Sequence, residues 1–443
     1  MRYNIPMKEM IYSKRRSKLL TKMKEGVGVV AAARWKTRSN DTEFPYRQNS
    51  DFYYLSGFTE DNAVLLFVKG EKERRVILFV QPKNEEMELW TGTRMGVEAA
   101  RIHFDVDEVH SIDTFEAVAK EAFKGHERLY LDLFGDDRVY EQAKGVCKAL
   151  LHDRSCKRSP HAFIDMPQLI REMRLIKERE EIALIRKALE ITKGAHHGAM
   201  RVAQPGMMEY ELQAHFEYCF KKAGAYSDAY TTIVAGGNHA NTLHYISNSD
   251  TLRDGDLVLI DAGAEYGMYA SDITRTFPVN GEFSKAQRAL YEMVLGVQLR
   301  VIDAIAPGVT KSWLQEQSER WLTEGLVELG ILKGKVKKLI ASKAHKNYFP
   351  HGIGHWMGLD VHDPCPYVDA KGDDIVLKPG MVLTIEPGIY IRKEDTSVSK
   401  KYRGIGIRIE DNILVTKSGC ENLSEGIAKT VEEIEAMCGS VEA

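Results

Sequence analysis

Four carboxylates of this chain stand inside or at the ends of β-branched, apolar runs, where water solvates them poorly. Asp261 and Asp272 lie in LVLIDAGAEYGMYASDITRTFPV, Glu386 in GMVLTIEPGIY and Glu410 in YRGIGIRIEDNILV. Taken singly, each reads as a strand-end acid facing water. As a set they are harder to place, because a buried carboxylate needs a partner. The first stretch reads as a hairpin with Tyr266-Gly267 at its turn, which sets Asp261 directly opposite Asp272. Cross-strand neighbours have Cβ atoms roughly 4.5–5.5 Å apart, and like charges there repel. Arg275 and Arg408 are the cations at hand, and two guanidinium groups cannot neutralise four acids. Two divalent cations could do so, charge for charge. Nitrogen ligands are available in HGIGHWMGLDVHD, at His351, His355 and His362. His351 and His355 have the i, i+4 spacing of a helical metal site, but Gly352, Gly354 and Gly358 argue against a helix. The stretch reads better as an extended strand, which turns His355 and His362 to opposite faces unless a bulge intervenes.

The elements that must position these groups lie in the second part of the chain. Before about residue 165, strand-like runs (AVLLFV, RVILFV and RLYLDL) alternate with polar and helical segments. That pattern predicts an α/β domain over 1–168. A second, α+β domain is expected over 169–443. A long amphipathic helix carrying Ile182, Ile185, Leu189 and Ala199 opens it. Another helix is predicted from Ser284 to about Ile305, started by a Ser284/Gln287 capping box and ended by Pro307-Gly308. Strands are expected at 257–261, 270–278, 381–386, 405–410 and 412–416.

Composition narrows the setting. A chain of 443 residues with 44% hydrophobic content can bury large cores. Its net charge of −3 gives no electrostatic case for nucleic acid or an anionic membrane. No run approaches the ~18 apolar residues of a membrane span. The basic N-terminus lacks the apolar core of a secretory signal. Six scattered cysteines with no CxxC pair read as reduced thiols in a cytoplasmic protein.

The segments IDAGAEYGMYASDITRTF, HGIGHWMGLDVHD, TIEPGIY and GIGIRIED resemble, in order, the ligand motifs of the pita-bread metallopeptidases. DTEFPYRQNSDFYYLSGF resembles the N-terminal domain of the aminopeptidase P branch of that family. The resemblance runs from about residue 8 to the final helix. It implies a creatinase/methionine-aminopeptidase-like pita-bread catalytic domain, a curved antiparallel sheet backed by helices. It also implies five metal ligands: Asp261, Asp272, His355, Glu386 and Glu410. Asp272 and Glu410 would bridge two cations, with Asp261 on one and His355 and Glu386 on the other. All-oxygen ligation plus one imidazole suits Mn²⁺. Glu386 is placed to act as general base on the attacking water. His244 and His362 match family histidines outside the metal shell, assigned to stabilising the oxyanion and positioning the prolyl peptide. His351 matches a pocket position beside the proline, and Tyr390 and Arg408 match pocket or supporting positions. Arg408 alternates with Glu410 on one strand face and can orient it. For Tyr230, core packing and substrate contact both stay open.

The activity implied is release of the N-terminal residue from peptides with proline second. An Xaa-Pro dipeptidase and a pita-bread binding protein without catalysis are the alternatives. The first usually lacks YRQNSDFYYLSGF, and the second loses ligands that this chain keeps. One departure is the charged, Pro-free loop IRKEDTSVSKKYR between Glu386 and Glu410, where the bacterial enzymes usually carry prolines. Trp90 matches a position that reaches into a neighbouring subunit's active site, which implies a homo-oligomer, a tetramer. Phe52 and Tyr54 are expected in the core of their own domain.

Overall fold

The apolar runs of the first part become strands of one mixed sheet. The computed structural model describes residues 7–135 and 138–438. The chain divides into two compact units, one ending at Arg174 and the other beginning at Leu175. The first unit's strands are β1 (Gly26–Ala31), β2 (Thr37–Ser39), β3 (Thr42–Glu43), β4 (Val64–Lys69), β5 (Arg74–Val80), β6 (Glu108–Ser111), β7 (Arg128–Leu131) and β8 (Ala162–Asp165). Its helices are α1 (Glu9–Lys22), α2 (Ser50–Ser56), α3 (Glu85–Thr91), α4 (Gly96–His103), α5 (Phe115–Phe123), α6 (Arg138–His152) and α7 (Met166–Arg174). The main sheet has the order β6-β5-β4-β1-β7-β8, with β1 antiparallel to β4 and parallel to β7. Every residue of β1 is buried, as expected of a strand covered on both faces. One face meets Phe115 and Phe123 of α5 and Val139 and Val146 of α6. Phe52 and Tyr54 are buried, as core residues should be. In contrast, α3 buries none of its side chains, and Trp90 is 79% exposed.

The first unit closes with α7. Arg174 Nη1 meets Asp51 Oδ1 at 2.6 Å, and the Tyr54 hydroxyl donates to Met173 O, so α7 goes with the first unit rather than opening the second.

In the second unit the helices are α8 (Arg179–Val202), α9 (Glu209–Lys222), α10 (Lys285–Asp303), α11 (Lys311–Glu328), α12 (Val336–Ala341) and α13 (Val431–Cys438). The strands are β9 (Ser227–Asp228), β10 (Ile233–Gly236), β11 (Leu257–Asp261), β12 (Ala264–Tyr266), β13 (Tyr269–Ala270), β14 (Thr274–Pro278), β15 (Val382–Ile385), β16 (Gly388–Ile391), β17 (Ile405–Arg408), β18 (Asp411–Val415) and β19 (Cys420–Asn422). They pair antiparallel as β10-β11-β14, β9-β12-β13, β15-β18-β19 and β16-β17. The stripe on α8 is buried at Leu184, Ile185, Ala188, Leu189, Ala195 and Ala199. The capping box predicted at Ser284 is formed: its hydroxyl accepts from Gln287 N, and the Gln287 side chain accepts from Ser284 N.

The hairpin that carries the two aspartates differs from its expected register. Tyr266 pairs with Tyr269, so the turn is Gly267-Met268, and both turn residues have positive φ (57° and 74°). This is the backbone of a type I′ turn, which fits the twist of the flanking strands. Asp261 consequently opposes Thr274, not Asp272. The expected strand over 270–278 is interrupted, but Ala262 N→Ile273 O and Ser271 N→Ala264 O carry the same register across the gap. Gly263 therefore faces Asp272, and Asp261 is its diagonal neighbour on one face. In the second hairpin Ile385 pairs with Asp411, and one step further places Glu386 opposite Glu410.

The histidine segment departs from a simple strand. Residues 353–357 run beside β15, with Thr384 N→His355 O and Glu386 N→Ile353 O. The chain then bends back through Gly358 N→Asp360 O and Asp363 N→Trp356 O. That bend turns His362 onto the same side as His355, their ring centroids 4.3 Å apart, instead of the opposite side expected of an extended strand.

Gly263 permits the close crossing of the aspartate hairpin. A Cβ there would lie 1.8 Å from the Ser271 carbonyl oxygen, a contact that only a backbone shift relieves. Gly263→Ala is expected to destabilise the protein by more than about 2 kcal/mol. It should also weaken metal binding, because the shift moves Asp261 and Asp272 apart. Chemical denaturation together with metal analysis checks both outcomes.

Candidate metal centre

Each acid is set at a strand end, where backbone pairing fixes its direction. Asp261 closes β11, Glu386 follows β15, and Glu410 sits between β17 and β18. Ligand atoms of Asp272, His355 and Glu410 all lie within 4.8 Å of one another. His355 Nε2 is 3.3 Å from Asp272 Oδ2 and 3.7 Å from Glu386 Oε1. Its other ring nitrogen, Nδ1, is 3.1 Å from the Trp356 carbonyl oxygen. A carbonyl only accepts, so Nδ1 carries the hydrogen. In the neutral ring, Nε2 then turns a lone pair towards two carboxylates. Such a backbone-anchored imidazole is the usual arrangement of a metal-bound histidine.

The electrostatics demand a cation there. Arg408 reaches these acids, its Nη2 donating to Asp261 Oδ2 at 2.7 Å, and the charge of Lys311 bears on Glu386. Arg275 lies on the other face of β14, where Asp411 Oδ1 accepts from its Nη2 at 2.8 Å. Three carboxylates are left without a guanidinium. Burial pushes the Glu386 carboxyl up to about 7, although His355 and Arg408 pull the other way. Burial also raises Glu410 well above the usual range, reinforced by Asp272 and Glu386. Burial raises Asp261 against the pull of Arg408. For His355 burial opposes the charge, but Asp272 and Glu386 outweigh it and lift the ring to about 9. The donor set, four carboxylates and one imidazole with its other nitrogen anchored, fits hard divalent cations.

The supporting residues form a continuous hydrogen-bonded frame. Thr274 Oγ1 donates to Glu410 Oε2 (2.7 Å) and accepts from Arg408 Nε (3.0 Å). Arg408 Nη1 donates to the Tyr390 hydroxyl (3.1 Å), which is 2.8 Å from His351 Nε2. His351 Nδ1 faces its neighbour's carbonyl, Gly352 O, at 2.8 Å. These contacts make His351 neutral, with Nδ1 protonated and Nε2 accepting from Tyr390. Burial and the Arg408 charge agree, lowering its pKa to about 3. The Tyr230 hydroxyl sits 2.6 Å from Asp261 Oδ1 and 2.5 Å from Asp272 Oδ1. It is thus a hydrogen-bond partner of two proposed ligands rather than mere core packing. His244 lies close enough for its charge to bear on both His351 and His362. Trp90 belongs to α3 of the first unit.

Several members of the frame escape a reading of the sequence. Asn412 accepts from Asp272 N at 3.0 Å and donates to Asp272 O at 2.6 Å, bracketing that ligand's backbone. Thr274 is signalled only by its register opposite Asp261. Thr384, whose hydroxyl accepts from His355 N at 3.0 Å, has no signal in the sequence.

Antiparallel strands presenting four acids and an anchored imidazole define a metal-dependent hydrolase. The sequence profile of metallopeptidase family M24 matches residues 183–417, and that of the aminopeptidase P N-terminal domain matches residues 12–130. The chain belongs to metallopeptidase family M24, in its aminopeptidase P branch. It is 42% identical to the Xaa-Pro aminopeptidase of Escherichia coli strain K12 over 436 residues, 96% of this chain and 97% of that one. Among solved structures, Pseudomonas aeruginosa aminopeptidase PepP matches with a TM-score of 0.96 at 41% identity, covering 99% of both chains. E. coli aminopeptidase P with the inhibitor Pro-Leu matches with a TM-score of 0.93 at 41% identity, covering 98% of both.

Asp272→Asn removes a charge that faces both His355 and Tyr230. Metal content, read by plasma mass spectrometry, should fall below the wild-type value. Activity should fall at least about 100-fold, the upper end of what losing a supporting contact alone costs. A variant that keeps both its metal and its kcat contradicts the ligand assignment.

Proposed function

We propose that the protein removes the N-terminal residue from peptides with proline in second position. Asp261, Asp272, His355, Glu386 and Glu410 would hold two divalent cations, Mn²⁺ being the ion that best suits this hard donor set. The observation that carries the reading is the His355 ring, anchored through Nδ1 on the Trp356 carbonyl and with Nε2 3.3 Å from Asp272 Oδ2 and 3.7 Å from Glu386 Oε1. When bound, the cations supply Lewis acidity, which polarises the scissile carbonyl and acidifies water.

The chain's own residues do the rest. Glu386 takes the proton of the attacking water and passes it to the prolyl nitrogen, which must leave as an amine. Its Oε1 is 3.4 Å from the Thr384 hydroxyl, which helps to set its orientation. His244 and His362 donate to the oxyanion as the carbonyl carbon becomes tetrahedral. His351, beside Phe349 at 4.7 Å between ring centroids, has both nitrogens engaged within the protein and offers the proline its ring. Arg408 and Tyr390 hold that ring and Asp261 in place. An Xaa-Pro bond has no N–H, so a peptidase acting on it cannot use that donor. A pocket that reads the ring instead is suited to it.

The reading extends to assembly and location. The exposed Trp90 and Leu89 on α3 support a homotetramer in which this helix narrows access to a neighbour's site. Six free cysteines support a cytoplasmic location.

Two measurements test these points. The metal-reconstituted protein should cleave Xaa-Pro-Yaa peptides and leave Xaa-Pro dipeptides largely intact; the opposite preference makes it a dipeptidase. Sedimentation should give four chains per particle, and Trp90→Ala should change kcat/KM for long peptides relative to short ones. A fully active monomer, or equal effects on both lengths, rules out the shared entrance.

A further inference from the structure

His244 reaches the catalytic face from a loop, and among the described residues it makes no hydrogen bond of its own. Its position is therefore set by whatever fixes the segment from Gly236 to Asp250. One buried carboxylate does much of this. Glu209, the first residue of α9, is fully buried, and both its oxygens are engaged by that segment. Oε1 accepts from Gly236 N at 2.9 Å and lies 3.0 Å from His239 Nδ1. Oε2 accepts from the Tyr245 hydroxyl at 2.8 Å and from Asp250 N at 2.9 Å. The loop's entry, its first turn, the residue beside His244 and its exit thus converge on a single side chain. The His239 and Tyr245 rings stack 4.4 Å apart and close the cluster.

We propose that Glu209 is a positioning residue for catalysis, holding the loop so that His244 meets the reacting carbonyl. The proposal rests on the role of His244 given above. A carboxylate is the group that fits. It offers acceptors on two sides, so it can receive four donors at once, and charge-assisted hydrogen bonds are shorter and stronger than neutral ones. An amide of the same shape has one acceptor side and would turn an N–H₂ towards two donors. The clamp grips Tyr245, one residue from His244, so loosening it displaces the imidazole without touching the metal ligands. Displacement of a group that acts only in the transition state lowers kcat and leaves KM and metal content alone.

The test is a double-mutant cycle on the metal-loaded enzyme. His244→Ala is expected to lower kcat about 100-fold. Glu209→Gln should lower kcat about 10-fold with KM and metal content near wild type, and Tyr245→Phe, which removes one of the four contacts, should lower it in the same direction by less. Because Glu209 acts through His244, adding Glu209→Gln to His244→Ala should cost nothing further. Multiplicative losses in the double variant overturn the proposal, as do unchanged kcat values in Glu209→Gln and Tyr245→Phe. If Glu209→Gln fails to fold, Tyr245→Phe in the same cycle decides the matter by the same criteria. If His244→Ala itself leaves kcat unchanged, the assigned role of His244 falls, and the clamp falls with it.

Discussion

Dehydrating Asp261, Asp272, Glu386 and Glu410 side by side is the constraint that shapes the catalytic unit. Two unit charges 4 Å apart repel by about 4 kcal/mol at an effective dielectric of 20, so four acids ionised together need positive charge among them. Arg408 supplies part of that charge and is fully committed: it meets Asp261, Thr274 and Tyr390 together. Divalent ions, as in the metallopeptidase family to which the chain belongs, would supply the remainder. Burial raises the proton affinity of Glu386 and Glu410 for the same reason that it makes them good ligands.

The opposite face of the same strands keeps the acids from moving apart. Arg275, wholly buried, donates to the carbonyls of Thr274 and Glu410 and to the Asp411 carboxylate, which also meets Lys429. Burial opposes the Asp411 charge, but Arg275 and Lys429 prevail and hold its carboxyl far below the usual range. This pair contributes little by itself, since desolvation offsets most of its attraction. Breaking it would leave an uncompensated charge directly behind Glu410. One face of β14 and β18 thus carries the chemistry, and the other carries the charges that brace it. The ion pair of Lys177 with Asp363 at 2.9 Å does a related job for the bend that carries His362.

Much of this was legible in the residues. Apolar β-branched runs mark the strands because a sheet buried against helices selects them, and acids inside such runs stand out against that background. The capping box at Ser284 and the stripe on α8 follow from local physics alone. The register of the aspartate hairpin did not, because the turn accepts Met268 at positive φ, a conformation its side chain does not advertise. The side that His362 takes is left open by strand alternation, because it depends on the bend after Gly358, which brings the ring beside His355. Glu209 and Asn412 were invisible for another reason. Their partners lie far away in sequence, and a polar residue at a helix start or on a strand carries no mark of the loop or ligand it holds. Trp90 was recognisable only through its family likeness, and its exposure is consistent with a surface role.

The central claim is that the four acids and His355 form a site completed by two cations, and calorimetric titration of the metal-free chain with Mn²⁺ tests it most directly. The account predicts saturation at two ions per chain. It also predicts a rise in Tm, since an ion binding the folded state at 100 times its Kd adds about 2.7 kcal/mol. A stoichiometry of one or none, or a Tm that stays level or falls as the ion is added, would contradict it.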